Sequence, residues 1–257
     1  MRFRKTQTIP QEMTMVQHLR ELRKRIFRSL LAVAIGAITL LLLYEPVLRV
    51  LTKPYRNVCA HRPDFNCDGS LFTLGPLDGL TARMKVATYG GLILALPIIL
   101  WQIWKFIVPA LDKREKQYAI PFIASSLVLF STGGYLAYWT LDRALEFLIS
   151  WSGPDVTQAY QITKYISLVS LMGLAYGIGF LSPVLIVFLQ LVGIVTPRKL
   201  VKNWRNAIMF IFLTAAVITP SGDPISMLAL AIPMSLLFAI AVLIGWLLVR
   251  RRPSASI

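Results

Sequence analysis

Charge is scarce and one-sided in this chain of 257 residues. Asp and Glu together number 12 against 27 Lys and Arg, and charged residues of both signs make up only 15%. A soluble domain needs more polar surface than that, and a 56% apolar composition with mean hydropathy +0.64 points to membrane. Chemistry-bearing side chains are also few. Histidine occurs twice, at His18 and His61, and neither falls in a long apolar run. No HExxH, GxSxG or glycine-rich phosphate loop occurs, and the runs hold no paired carboxylates. An intramembrane hydrolase is therefore disfavoured, the chain is not expected to be an enzyme, and no cofactor is expected. A carrier coupled to ions keeps ionisable groups near the bilayer centre, whereas Arg83 and Lys85 stand at one end of the second run and Lys105 at the other.

What is present is apolar length. Strong runs cover Ile26 to Tyr44, Leu80 to Ile107, Tyr118 to Leu141, Ile166 to Val192 and Ile225 to Val249. A weaker one, Asn206 to Ile218, falls short of the roughly 20 residues that a 30 Å hydrocarbon core requires, and it stops at "TPSGDP". Crossing would place it in thinned bilayer; the alternative is a re-entrant or interfacial helix. The first run is too long for a signal-peptide core and ends "LLLLYEP" without a small-x-small cleavage site, so it is expected to be retained.

Charge patterning favours six crossings over five. With six, the N-terminus, "DKREK", "TPRKLVKNWR" and the C-terminus share one side, which carries 19 of the 27 Lys and Arg and only 4 of the 12 acids. Lys and Arg mark the cytoplasmic side. The expectation is an all-α membrane protein of six transmembrane helices with both termini cytoplasmic and helices five and six short. It forms one polytopic domain over 1–257, with 1–25 a cytoplasmic segment, 45–78 an outer loop and cap, and 250–257 a cytoplasmic tail. The net charge of +15 then reflects topology and attraction to anionic lipid, not nucleic acid.

The outer connections carry further signals. In residues 45–78, Val47, Leu48, Val50 and Leu51 recur at helical spacing, and Pro54 is expected to stop that helix. Cys59 and Cys67 both lie here; an oxidising compartment lets them pair, which contributes roughly 2.5 kcal/mol. A zinc site needs four ligands and only His61 is near. "TPSGDP" makes a tight turn between the last two spans. Pro97, Pro121, Pro183 and Pro233 fall within or near the starts of spans, where proline removes backbone bonds.

Four stretches in order, "HLRELRKRIFRSL", "LPIILWQIWKFIVPALDKREKQ", "FSTGGYLAY" and "ITPSGDPISMLALAIPM", resemble the TatC subunit of the twin-arginine protein translocase, over nearly the whole chain. The resemblance implies a cytoplasmic-membrane receptor for twin-arginine signal peptides of folded cargo, working as an oligomer with TatA- and TatB-type single-helix subunits and driven by the proton-motive force. It implies that Glu21 and Glu115 line the cytoplasmic site for the two arginines, with Arg23 and Phe106 beside them. Pro54, Pro97, Tyr138 and Asp223 match positions that the family tends to retain.

Physical chemistry agrees that carboxylates are needed there. A rim carrying +15 repels a basic peptide unless local acids reverse the sign, and a carboxylate takes an arginine by two parallel hydrogen bonds. Two blander roles stand beside this: Glu21 has Arg25 four residues on, and Glu115 favours the positive end of the next helix. Asp223 is equally suited to capping the last helix. The chain departs from the family at Leu181 with Ser182, and at Ala239, where many members carry polar or acidic residues, so Ser182 and Gln190 are the polar groups left on the fourth span. A small-solute carrier and a passive assembly factor are the rival functions; the first lacks a polar path, and the second has no need of Glu21 and Glu115 on one face.

Overall fold

The computed structural model describes residues 15–61, 67, 69–107, 119–152, 156, 158–219 and 222–250. The chain is all-α apart from a two-residue strand pair. Helix α1 (Met15–Leu42) is followed by α2 (Tyr44–His61), β1 (Leu71–Phe72), α3 (Asp78–Ile107), α4 (Ala119–Ser150), β2 (Tyr160–Gln161), α5 (Ile162–Leu191), α6 (Pro197–Lys202), α7 (Trp204–Ile218) and α8 (Pro224–Arg250). Five of these, α1, α3, α4, α5 and α8, are long and apolar enough to cross a membrane, and α7 is a shorter apolar helix of 15 residues. The expected shortness of the last span is corrected: α8 runs 27 residues, because its apolar sequence continues unbroken through Leu248.

Small residues set the helix spacing. A Cβ on Gly36 of α1 would come within 2.9 Å of the Gly91 carbonyl oxygen on α3, and one on Gly91 within 2.6 Å of the Ala37 nitrogen. The two backbones therefore touch, a close approach that only glycine permits. Gly133 of α4 plays the same part against the Tyr176 carbonyl of α5. At the centre lies α5, packed on α3, α4 and α8, with Tyr176, Ile166 and Met172 almost fully enclosed. It runs parallel to α8: the Tyr176 hydroxyl donates to the Ser226 carbonyl at 2.5 Å, and fourteen residues on Gln190 Nε2 donates to the Ala241 carbonyl at 3.2 Å. Helix α7 packs against α8 and is otherwise mostly exposed.

One end of the bundle is capped and the other is basic. At the capped end Pro54 lies inside α2, which continues to His61, so the expected helix stop is corrected. Proline at 54 cannot donate to the carbonyl of Val50. The Tyr138 hydroxyl of α4 does so instead, at 3.0 Å, and the Tyr165 hydroxyl of α5 donates to the neighbouring Leu51 carbonyl at 2.8 Å. Two tyrosines from other helices thus replace backbone bonding and let α2 pass through its proline. Cys59 and Cys67 are joined in a disulfide, with Cα atoms 5.5 Å apart. Strands β1 and β2 pair in parallel, Leu71 with Tyr160 and Phe72 with Gln161. Asp78 locks that pair to α3: its Oδ2 accepts from the Leu74 and Gly75 amides and from Gln161 Nε2, at 2.7, 3.1 and 2.9 Å. Tyr160 lies at the same junction, where burial raises its hydroxyl pKa above the usual range.

Candidate functional site

The basic end is built from the start of α1 and the end of α3. Residues "HLRELRKR" are helical and continuous with the first span, so their side chains are displayed at fixed angles from one rod. The register of the glycine seam, Gly36 by Gly91 and Leu40 by Gly90, runs antiparallel. Continued toward the basic end, it brings Glu21 and Arg25 to the same end of the seam as Gln102 and Phe106, with Arg25 within about a turn of Gln102. Trp104 fixes this end of α3, stacking on Phe122 of α4 at 5.4 Å and meeting Phe188 of α5 edge-on at 5.8 Å.

Glu21 is the only carboxylate at this end among the described residues; Glu45, Asp78, Asp142, Glu146 and Asp223 all stand toward the capped end. Its Oε1 accepts from Arg25 Nη2 in an ion pair within α1, and the two side chains are only 24% and 14% exposed. A groove of about 330 Å³ runs past the pair, edged by Gln17, Arg20, Lys24 and Arg28. Arg23 is exposed and lies about 200° round the helix from Glu21, so it faces away from that carboxylate. Phe106 is half-buried. Glu115 lies outside the described residues.

The supporting positions fall elsewhere. Pro54 and Tyr138 meet through the Val50 carbonyl at the capped end. Pro97 and Tyr138 share the wall of an apolar cavity of about 410 Å³ between α3, α4 and α5, with Val86, Phe130 and Met172. Asp223 is 2% exposed and caps α8, its Oδ1 accepting from the Ser226 amide at 2.6 Å beside Gly222 at φ +62. Sequence reasoning missed Tyr165 and Gln102. An unsatisfied carbonyl before a proline signals that some donor is needed, but linear sequence does not name which one. Leu181 and Ala239, the departing positions, sit half-buried on α5 and exposed on α8.

Five apolar helices with α5 at their centre, closed at one end and cationic at the other, define an integral membrane protein of the polytopic all-α class. Residues 17–233 match the profile of the family described as Sec-independent protein translocase protein (TatC). The TatC of Frankia casuarinae is 38% identical, over 97% of this chain and 70% of its own length. That of Xylanimonas cellulosilytica is 35% identical, over 88% and 81%. A crystal structure of the twin-arginine translocase receptor TatC superposes with a TM-score of 0.74 at 34% identity, covering 91% of this chain and all of that one. The chain belongs to the TatC family: it is a subunit of a protein translocase, a transport protein and not an enzyme.

Proposed function

We propose that the chain is the signal-peptide receptor and core subunit of a twin-arginine translocase, exporting folded proteins across the cytoplasmic membrane at the expense of the proton-motive force. Its binding site comprises Glu21 and Glu115, with Phe106 as apolar wall and Arg23 supporting. Pro54, Pro97, Tyr138 and Asp223 maintain the scaffold. Its partners are twin-arginine signal peptides and TatA- and TatB-type subunits, in an oligomer. The observation that carries this is Glu21: a carboxylate only 24% exposed, on a rim that is otherwise cationic among the described residues, where a guanidinium can engage both oxygens and an ammonium only one.

The same proposal takes all 257 residues as one membrane domain of six spans with both termini cytoplasmic. The parallel course of α5 and α8 supports it. A chain that leaves α5 at the basic end and enters α8 at the capped end must return across the bundle between them, and α7 is the helix available. At 15 residues it spans about 22 Å, short of a full hydrocarbon core. Photo-crosslinkers at positions 21 and 115 test the receptor site directly. Both are expected to capture a twin-arginine peptide and to lose it when the arginines are changed to glutamine; capture from neither position would refute the assignment.

A further inference from the structure

We infer that Arg25 is an internal stand-in for the peptide: it occupies Glu21 in the empty receptor and is exchanged for a peptide guanidinium on binding, with Gln102 of α3 taking the displaced side chain. This deepens the receptor assignment of Glu21 and rests on it. Three observations converge. Glu21 is not idle, because its Oε1 is held by Arg25 Nη2, while its second oxygen has no hydrogen bond among the described residues. A bidentate fork needs both oxygens in one plane, so an incoming arginine must displace Arg25 from Oε1. The occupant is already a guanidinium, and the site therefore has the geometry to hold one.

The second observation is that Arg25 is incompletely paired. Its Nε is buried without an acceptor, an arrangement with a cost in a side chain only 14% exposed. The third lies across the seam. Gln102 Oε1 is likewise buried without a donor, and the α1/α3 register brings residue 102 within about a turn of residue 25. One orphaned donor and one orphaned acceptor within a turn of each other on two packed helices define a second resting place for Arg25. Binding would then trade one charge-assisted pair for another, and Arg25 sets a threshold that weakly held cations do not pass. Arg25 holds Glu21 by one oxygen only, and it must be released whichever peptide takes both oxygens, so Arg25 lowers the affinity of every peptide that binds there by the same factor.

The test uses the full chain in nanodiscs at fixed low salt, titrated with a synthetic peptide carrying an Arg-Arg pair and with its Lys-Lys counterpart. Arg25→Gln should tighten the Arg-Arg peptide about tenfold, and the Lys-Lys peptide by no more than that. Arg28→Gln removes the same charge from the groove without touching Glu21, and it should tighten the Arg-Arg peptide far less. Gln102→Leu should weaken the Arg-Arg peptide severalfold, and should have no effect when combined with Arg25→Gln. Arg25→Lys, the variant closest to the native packing, should fall between native and Arg25→Gln. Weaker binding by Arg25→Gln in a chain that elutes and melts as the native one does would overturn the exchange, since Arg25 would then be orienting Glu21. So would a tightening matched by Arg28→Gln. In each of those cases Glu21→Gln still weakens the Arg-Arg peptide if the receptor assignment holds; a Glu21→Gln chain that binds as native does would remove that assignment as well.

Discussion

Glu21 owes its value to its surroundings. A carboxylate on an exposed helix face contributes under about 1 kcal/mol to an ion pair, but one three-quarters shielded, on a rim of like-charged neighbours, contributes more to a partner that fits. Glu21→Ala is therefore expected to weaken a twin-arginine peptide by about one to two decades. A double-mutant cycle against a peptide Arg→Lys change should show coupling above about 0.5 kcal/mol; additive losses would mean that Glu21 serves Arg25 alone. Tyr138 answers to the same kind of accounting within the fold. Tyr138→Phe leaves the Val50 carbonyl without its donor and should cost about 1–3 kcal/mol. Pro54→Ala returns a backbone N–H to that carbonyl, so the Tyr138→Phe penalty measured by thermal unfolding should shrink in the Pro54→Ala background. An equal penalty in both backgrounds would separate the two residues.

Among elements, the α1–α3 seam decides where the Glu21 groove stands. Alanine at position 91 drives a methyl group into the α1 backbone and is expected to cost about 1–3 kcal/mol, whereas alanine at Gly134 meets nothing within 4 Å and gains helix propensity. Unfolding of both variants in one detergent checks this, and a Gly91→Ala chain as stable as the Gly134→Ala chain would show a seam looser than described. Elements were unevenly legible in the sequence. The long spans announce themselves because each apolar run exceeds what a core helix uses, and the Asp223 cap follows from a turn of Pro, Gly and Asp. Helix α2 was misjudged at Pro54, since the tyrosines that rescue its carbonyls stand 88 and 114 residues from those carbonyls, on α4 and α5, and are invisible to a local window. The β1–β2 pair is two residues long and parallel, too short for any period to register. Glu21 was legible as an acid among bases, but its engagement with Arg25 and the orphaned Gln102 opposite are products of packing.

For the whole molecule, orientation follows from where the cations gather. Reporter fusions after Asp155 and after Asp223 are expected to report the outer side, and those within 195–205 and 250–257 the cytoplasm. A cytoplasmic signal after Asp223 would mean that α7 does not cross, which would leave the parallel course of α5 and α8 without a return path.

The parallel contact of α5 with α8 also bears on how a cell would judge an incomplete chain. Helix α8 leaves the ribosome after α5, and until it arrives the Tyr176 hydroxyl lacks its Ser226 acceptor and the Gln190 amide lacks the Ala241 carbonyl. Both groups belong to a predominantly apolar span, where unmet polar groups are costly. A chain truncated before Pro224 therefore presents unmet polar groups from the middle to the basic end of its central helix, a mark by which membrane proteases can tell an unfinished product from a finished one.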